Sequence, residues 1–162
     1  MTKLTDNFTL REMTRSRTAA KRGIQNIPNG EQIRRLRDLC EFALEPTRAI
    51  VGHPLHVTSG FRSQALNKAI RGAKTSQHMR GEAADIECFH LSTYDLAVTI
   101  RENGVPFDQL ILEAYTPAHP NSGWVHVSFT TERRNRFEVL TWTPRKWRML
   151  TGGRAYRKGL HK

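Results

Sequence analysis

The chain has 162 residues, of which 38% are hydrophobic and 25% charged, and its net charge is +11. This length suits one domain with one core, and the composition excludes a disordered chain. No apolar run approaches the ~20 residues of a membrane span, and the opening MTKLTDNFTLREMTRSR lacks the apolar centre of a secretory signal peptide. The positive charge favours polyanionic partners, such as nucleic acid or a bacterial envelope.

The first third of the chain is predicted to be helical. NFTLREMTRS is predicted as a short helix with Thr9 as its N-cap and Glu12 three residues later, the spacing of a capping box. Apolar residues then recur at helical spacing over residues 31–44, and Pro46 is expected to kink or divide this helix.

The rest of the chain alternates strands with helices. Strands are predicted at residues 55–59, 82–88, 107–113, 124–129 and 136–142, where short apolar or alternating runs are bounded by turn residues. Helices are predicted at residues 63–70, closed by Gly72, and at residues 92–103, with Ser92 as the N-cap and Gly104 just past the end. We therefore expect an α+β fold with a small, mostly antiparallel sheet and helices packed on one side.

Residues 1–142 are expected to form this domain, and residues 143–162 a basic C-terminal tail that could pack on it. Trp142, Trp147 and Tyr156 alternate with basic residues, which suits a sugar or nucleic-acid surface. A solvated basic terminus whose aromatic residues cover the edge of the core is the alternative. Cys40 and Cys88 are expected to be buried free thiols, since no Cys-x-x-Cys pair is present.

Three polar residues stand out as candidate metal ligands. His126 lies in the apolar strand WVHVSF, and Asp85 follows two alanines in another strand. Buried polar groups of this kind are paired or bind metals. His78 precedes them in TSQHMRGEAADIE, and two imidazoles with one carboxylate suffice for a catalytic zinc ion that keeps an open position. From the spacing alone, an ordinary turn into a strand remains the alternative.

The motifs around these residues resemble those of a known family. SQHMRGEAADI is similar to the Ser-x-His-x-x-Gly-x-Ala-x-Asp signature of the zinc D-Ala-D-Ala carboxypeptidase/endopeptidase family, peptidase family M15. SGFRSQALN resembles its Ser-Gly-Tyr-Arg-Ser segment, and FDQLILE followed by GWVHVSF resembles the closing strands of its phage and prophage members. The resemblance covers residues 7–140 and implies the small α+β fold shared with the hedgehog signalling domain.

The resemblance also implies roles for single residues. His78, Asp85 and His126 would hold one zinc ion. Arg62 would bind the carbonyl or carboxylate of the substrate and stabilise the oxyanion, while Ser76 and Gln77 would contact the substrate.

The general base departs from the family pattern. Many members carry an acidic residue three positions before the last histidine, where this chain has Gly123. Glu113 is the expected base, because it would lie close to His126 if the last two strands of the site pair antiparallel. Asp108 and Glu82 are less favoured.

These roles imply a zinc-dependent peptidase that cleaves stem-peptide or cross-link amide bonds of bacterial peptidoglycan, acting as a carboxypeptidase or an endopeptidase. We expect a monomeric phage or prophage endolysin that stays in the host cytoplasm until it is released to the cell wall, with its basic tail on anionic envelope polymers and without a specific nucleic-acid partner. One alternative is a non-catalytic zinc-containing module that binds the cell wall or polyanions. Another is a basic nucleic-acid-binding domain without metal.

Overall fold

The computed structural model describes residues 2–142 and 156–161, which form an α+β fold around one six-stranded sheet. The helical elements are α1 (Leu10–Thr14), α2 (Arg17–Arg22), α3 (Gly30–Leu39), a π-helical turn (Cys40–Leu44), α4 (Glu45–Val51), α5 (Gln64–Ala69), a 3₁₀ turn (Gln77–Arg80) and α6 (Thr93–Glu102). The strands are β1 (His56–Ser59), β2 (Ala83–Glu87), β3 (Gln109–Glu113), β4 (Trp124–Ser128), β5 (Glu138–Trp142) and β6 (Arg157–Lys158). Within the described ranges, none of the helices has the length and apolar character that crossing a membrane requires.

Side-chain caps set the starts of the helices. The Thr9 hydroxyl accepts a hydrogen bond from the backbone N–H of Glu12, which confirms the predicted start of α1. Ser92 caps α6 in the same way, also as predicted. Helix α3 begins slightly before the predicted residue 31, because Asn29 and Gln32 form a reciprocal capping box there.

The helical segment predicted over residues 31–44 continues past Pro46 to Val51. It is divided at residues 40–44, before the proline rather than at it. A π-helical turn separates α3 from α4, and Pro46 lies in the first turn of α4, where a missing N–H costs little. Helix α2, which Ser16 caps, was not predicted, and neither was the 3₁₀ turn or β6.

The sheet has the strand order β1-β2-β4-β3-β5-β6, and only β3 and β5 pair in parallel. This confirms the expected mostly antiparallel sheet. Asp85 and Ile111 both pair with His126 and therefore share one face of the sheet with it. The residues that alternate with them belong to the buried apolar core together with helix residues such as Leu36 and Leu96. One face of the sheet is thus apolar and covered by helices, and the other carries polar side chains.

Strand β6 pairs antiparallel with β5. The Thr141 hydroxyl donates to the carbonyl oxygen of Gly159 at 2.8 Å and accepts from the N–H of His161 at 3.1 Å. The described end of the tail therefore packs on the sheet, whereas Trp147 lies outside the described residues. The division of the chain at residue 142 stays a prediction.

The two cysteines are buried free thiols, as predicted. Burial raises the pKa of Cys40 well above that of an ordinary thiol, which keeps it protonated.

Candidate metal centre

Three side chains predicted as metal ligands meet on the polar face of the sheet. His78 comes from the 3₁₀ turn, Asp85 from β2 and His126 from β4, and all three are buried. His78 Nε2 lies 3.2 Å from His126 Nδ1 and 3.2 Å from Asp85 Oδ1, and His126 Nδ1 lies 3.1 Å from the same carboxylate oxygen. The strand register explains this meeting, because Asp85 stands directly opposite His126.

The spacing and chemistry of these three atoms fit a zinc ion. Zinc–ligand bonds of about 2.0–2.2 Å in a tetrahedral arrangement place neighbouring ligand atoms roughly 3.3–3.5 Å apart. The observed separations of 3.1–3.2 Å are close to that value. The group could therefore hold one metal ion and leave a fourth position open.

The protonation states also suit a metal site. His78 Nδ1 donates to the carbonyl oxygen of Gly60 at 2.7 Å, and because a carbonyl can only accept, Nε2 keeps its lone pair. Burial lowers the pKa of His78 and favours this neutral form, against the opposing influence of the Asp85 carboxylate. Burial would by itself raise the pKa of Asp85, but the polar groups around its carboxylate outweigh burial and hold that pKa well below its usual range. Neutral imidazole and ionised carboxylate are the forms that bind metal.

Gly81 brings the turn that carries His78 against helix α3. Its φ of 79° is in the left-handed region, and a Cβ there would stand 2.5 Å from the carbonyl oxygen of Gln32. The Gln32 side chain in turn donates to the carbonyl oxygen of Met79 at 2.9 Å. A glycine three residues after the histidine is thus required by close packing and by backbone conformation.

Arg62 holds the second oxygen of the Asp85 carboxylate. Its guanidinium donates to Asp85 Oδ2 at 2.5 Å and to the Ser59 hydroxyl at 2.9 Å. Asp85 therefore presents only Oδ1 to the two histidines. This orienting contact was not expected, and the predicted contact of Arg62 with the substrate stays a prediction.

The three ligand candidates open into a cavity of about 970 Å³ that Arg62, Ser76 and Glu113 also line. Strands β3 and β4 pair antiparallel, as the assignment of Glu113 assumed. Glu113 stands opposite Trp124 and is therefore the diagonal neighbour of His126 on the same face. Its carboxylate is buried.

Position 123, where many relatives carry an acid, cannot accept a side chain in this chain. Gly123 has a φ of 72°, and a Cβ there would stand 2.0 Å from the carbonyl oxygen of Glu113. Glu113 and Asp85 are the carboxylates among the described residues that line the cavity.

The two less favoured acids are both held by arginines. Asp108 is fully buried and accepts hydrogen bonds from the guanidinium groups of Arg133 and Arg136. Burial would raise its pKa, but the hydrogen bonds from these arginines outweigh it and lower the pKa well below the usual range. Glu82 is buried beside Arg80, whose Nε donates to it at 2.7 Å.

Gln77 is committed to the same network, because its side-chain amide donates to Asp108 Oδ2 at 2.8 Å. It lines the cavity, as Ser76 does, and the predicted contacts of both residues with a substrate stay predictions. Sequence reasoning missed the Asp108 network, although the basic run RRNR after β4 was its visible sign.

Comparison with known families agrees with this geometry. A family model described as Peptidase M15 matches residues 6–128, a span that includes His78, Asp85 and His126. The search of curated proteins gives no match.

Proposed function

Since this chain belongs to the peptidase M15 family, a family of zinc-dependent peptidases, we propose that it hydrolyses stem-peptide or cross-link amide bonds of bacterial peptidoglycan. One observation carries this proposal. A buried group of two imidazoles and a carboxylate, with the spacing of zinc ligands, shares a cavity with a further buried carboxylate, that of Glu113.

In the proposed mechanism, His78, Asp85 and His126 would hold the zinc ion, which when bound would supply Lewis acidity and activate a water molecule. Glu113 accepts a proton from the attacking water and delivers it to the leaving amine. Arg62 fixes Asp85 through Oδ2, and it has N–H groups beyond the two it uses here with which to bind the developing oxyanion. Ser76, at the wall of the cavity, contacts the substrate.

We further propose that the protein is a phage or prophage endolysin of the D,D- or L,D-cleaving type, acting as a carboxypeptidase or an endopeptidase. The similarity of its closing strands to those of phage members and its net charge of +11 support this role. Such an enzyme stays in the host cytoplasm until release, and its basic tail then contacts anionic envelope polymers.

The decisive experiment is mass spectrometry of peptidoglycan incubated with the zinc-loaded protein, with and without a chelator. We expect chelator-sensitive peptide fragments whose masses identify the cleaved bond. Glu113→Gln should retain zinc and lose activity by about 10²–10⁴-fold, the usual contribution of a general base. Glu102→Gln, at an exposed position on α6, is the matched control and should behave like the wild type.

One observation favours a second candidate, a non-catalytic zinc-containing module that binds the cell wall, because Gly123 stands where many relatives carry the base. Zinc-loaded protein that sediments with peptidoglycan but leaves every muropeptide intact would establish this function and exclude the peptidase.

A further inference from the structure

Arginines are prominent in the wall of the cavity around the candidate metal centre, and each of them forms an ion pair with a carboxylate. The described lining of the cavity includes four arginines but only two carboxylates, Asp85 and Glu113. Two of these arginines, Arg133 and Arg136, lie between β4 and β5, beyond residue 128, where the match to the family ends. They therefore lie outside the part of the chain that the family model matches.

Asp108 fixes both arginines in place. Arg133 forms a two-pronged contact, with NH1 at 2.5 Å from Oδ1 and NH2 at 3.0 Å from Oδ2. Arg136 donates to the same carboxylate from its backbone N–H at 3.1 Å and from NH2 at 2.6 Å. The side-chain amide of Gln77, the residue directly before His78, also donates to Asp108. One carboxylate therefore connects both arginines to the segment that carries a candidate metal ligand.

The two guanidinium groups remain partly exposed and could bind a ligand. Their side chains are still 43% and 48% exposed, although Asp108 is fully buried behind them. Arg133 uses three of its five N–H groups, two on Asp108 and one on the carbonyl oxygen of Arg134. Glu138 lies 3.4 Å from Arg136 NH1 and forms a further ion pair with that arginine.

We propose that Arg133 and Arg136 form a carboxylate-binding subsite that selects peptides with a free carboxylate next to the amide bond to be cleaved. Planar guanidinium groups on a fixed support bind carboxylates through paired, charge-assisted hydrogen bonds. The inference rests on the proposed function and narrows its substrate class to acidic stem peptides, in which D-Glu, diaminopimelate and terminal D-Ala each offer a carboxylate. Amidation of the recognised carboxylate removes the charge that this subsite binds.

The test compares a synthetic stem peptide with three versions of it, each with one carboxylate converted to a carboxamide. Both binding, by titration calorimetry, and kcat/KM are measured for zinc-loaded protein. Wild type should bind and cleave one amidated version about tenfold or more worse than the parent, a difference of about 1.4 kcal/mol. Arg133→Gln and Arg136→Gln should each reduce this discrimination, and each leaves Asp108 with one guanidinium partner.

Arg134→Gln is the matched control, because Arg134 is exposed on the same loop and does not line the cavity. It should keep the discrimination of the wild type. Zinc content and circular dichroism identify a variant that has merely misfolded. The ratio of kcat/KM for the parent peptide to kcat/KM for an amidated peptide does not depend on the fraction of active protein.

The outcomes separate the two proposals. Equal cleavage of all four peptides by wild type would overturn the subsite and leave the peptidase intact. Tighter binding of the parent peptide that Arg133→Gln abolishes, without cleavage, would support the subsite and overturn the peptidase. If both arginine variants still discriminate between the parent and the amidated peptide, another group of the protein binds the carboxylate and the inference is overturned.

Discussion

Replacing Gly123 with alanine should destabilise the protein far more than the same change at Gly104. Both glycines have left-handed backbones, with φ of 72° and 69°, so each alanine carries a strain of about 1–2 kcal/mol. A Cβ at position 104 meets nothing within 4 Å. At position 123 it would stand 2.0 Å from the carbonyl oxygen of Glu113 and within 2.8 Å of backbone atoms of Ala114 and Tyr115. Backbone atoms cannot rotate away, so β3 and β4 must separate at this end, which adds about 1–3 kcal/mol.

Urea unfolding followed by circular dichroism, with chelator present so that metal does not contribute, measures the two free energies of unfolding. Gly123→Ala should lose about 2–5 kcal/mol in total, and Gly104→Ala about 1–2. Equal losses in the free energy of unfolding would refute the close approach at position 123. They would also refute the conclusion that an acidic side chain cannot be accommodated at that position. Gly123→Asp, which supplies an acid at the position many relatives use, should lose activity rather than gain it.

Three further predictions follow from the metal centre and the network behind it. Zinc at 1,000 times its Kd should raise the free energy of unfolding by about 4 kcal/mol, and His78→Ala should abolish this gain in thermal unfolding scans. Arg62→Gln should weaken zinc binding about 10–100-fold, because it frees the second oxygen of Asp85, and a competition titration with a chromogenic chelator measures this change. The pKa of Asp108 is lowered in the folded protein, so its ionised form stabilises the fold above the unfolded pKa of about 3.9, and this contribution is lost as pH falls through the lower folded value. Asp108→Asn should therefore be less stable than wild type at pH 7, and the difference in urea midpoint should shrink below about pH 4; a constant difference would contradict this reasoning.

The candidate metal centre was predicted from local signals together with the resemblance to a family motif, since the spacing alone left an ordinary turn into a strand open. A histidine in an apolar strand and an aspartate after two alanines are unusual wherever they occur, and pairing of their strands is enough to bring Asp85 and His126 together. The N-caps Thr9 and Ser92 were predictable for the same reason, because each acts on the backbone three residues away.

The contacts that orient the site depend on residues far apart in the chain. Arg62 and Asp85 are 23 positions apart, and Arg133 and Asp108 are 25 apart. Arg62 lies in a segment that resembles a family motif and Arg133 in the basic run RRNR, but neither local sequence identifies the carboxylate that the arginine contacts. Only the register of the strands shows which carboxylate each one meets. Strand β6 was missed for a related reason, since two residues carry no periodic pattern.

The pairing of β6 with β5 has a practical consequence for expression of this protein. A truncation after Trp142, at the predicted boundary of the tail, would remove β6 and leave β5 as an uncovered edge strand. The backbone groups of β5 that now bond Gly159 and its neighbours would then be available to other chains, which is a known route to aggregation. It would also remove Tyr156 from the wall of the cavity. Low solubility of such a truncated protein would therefore reflect a broken sheet, and its low activity would reveal nothing about whether the tail binds the cell wall.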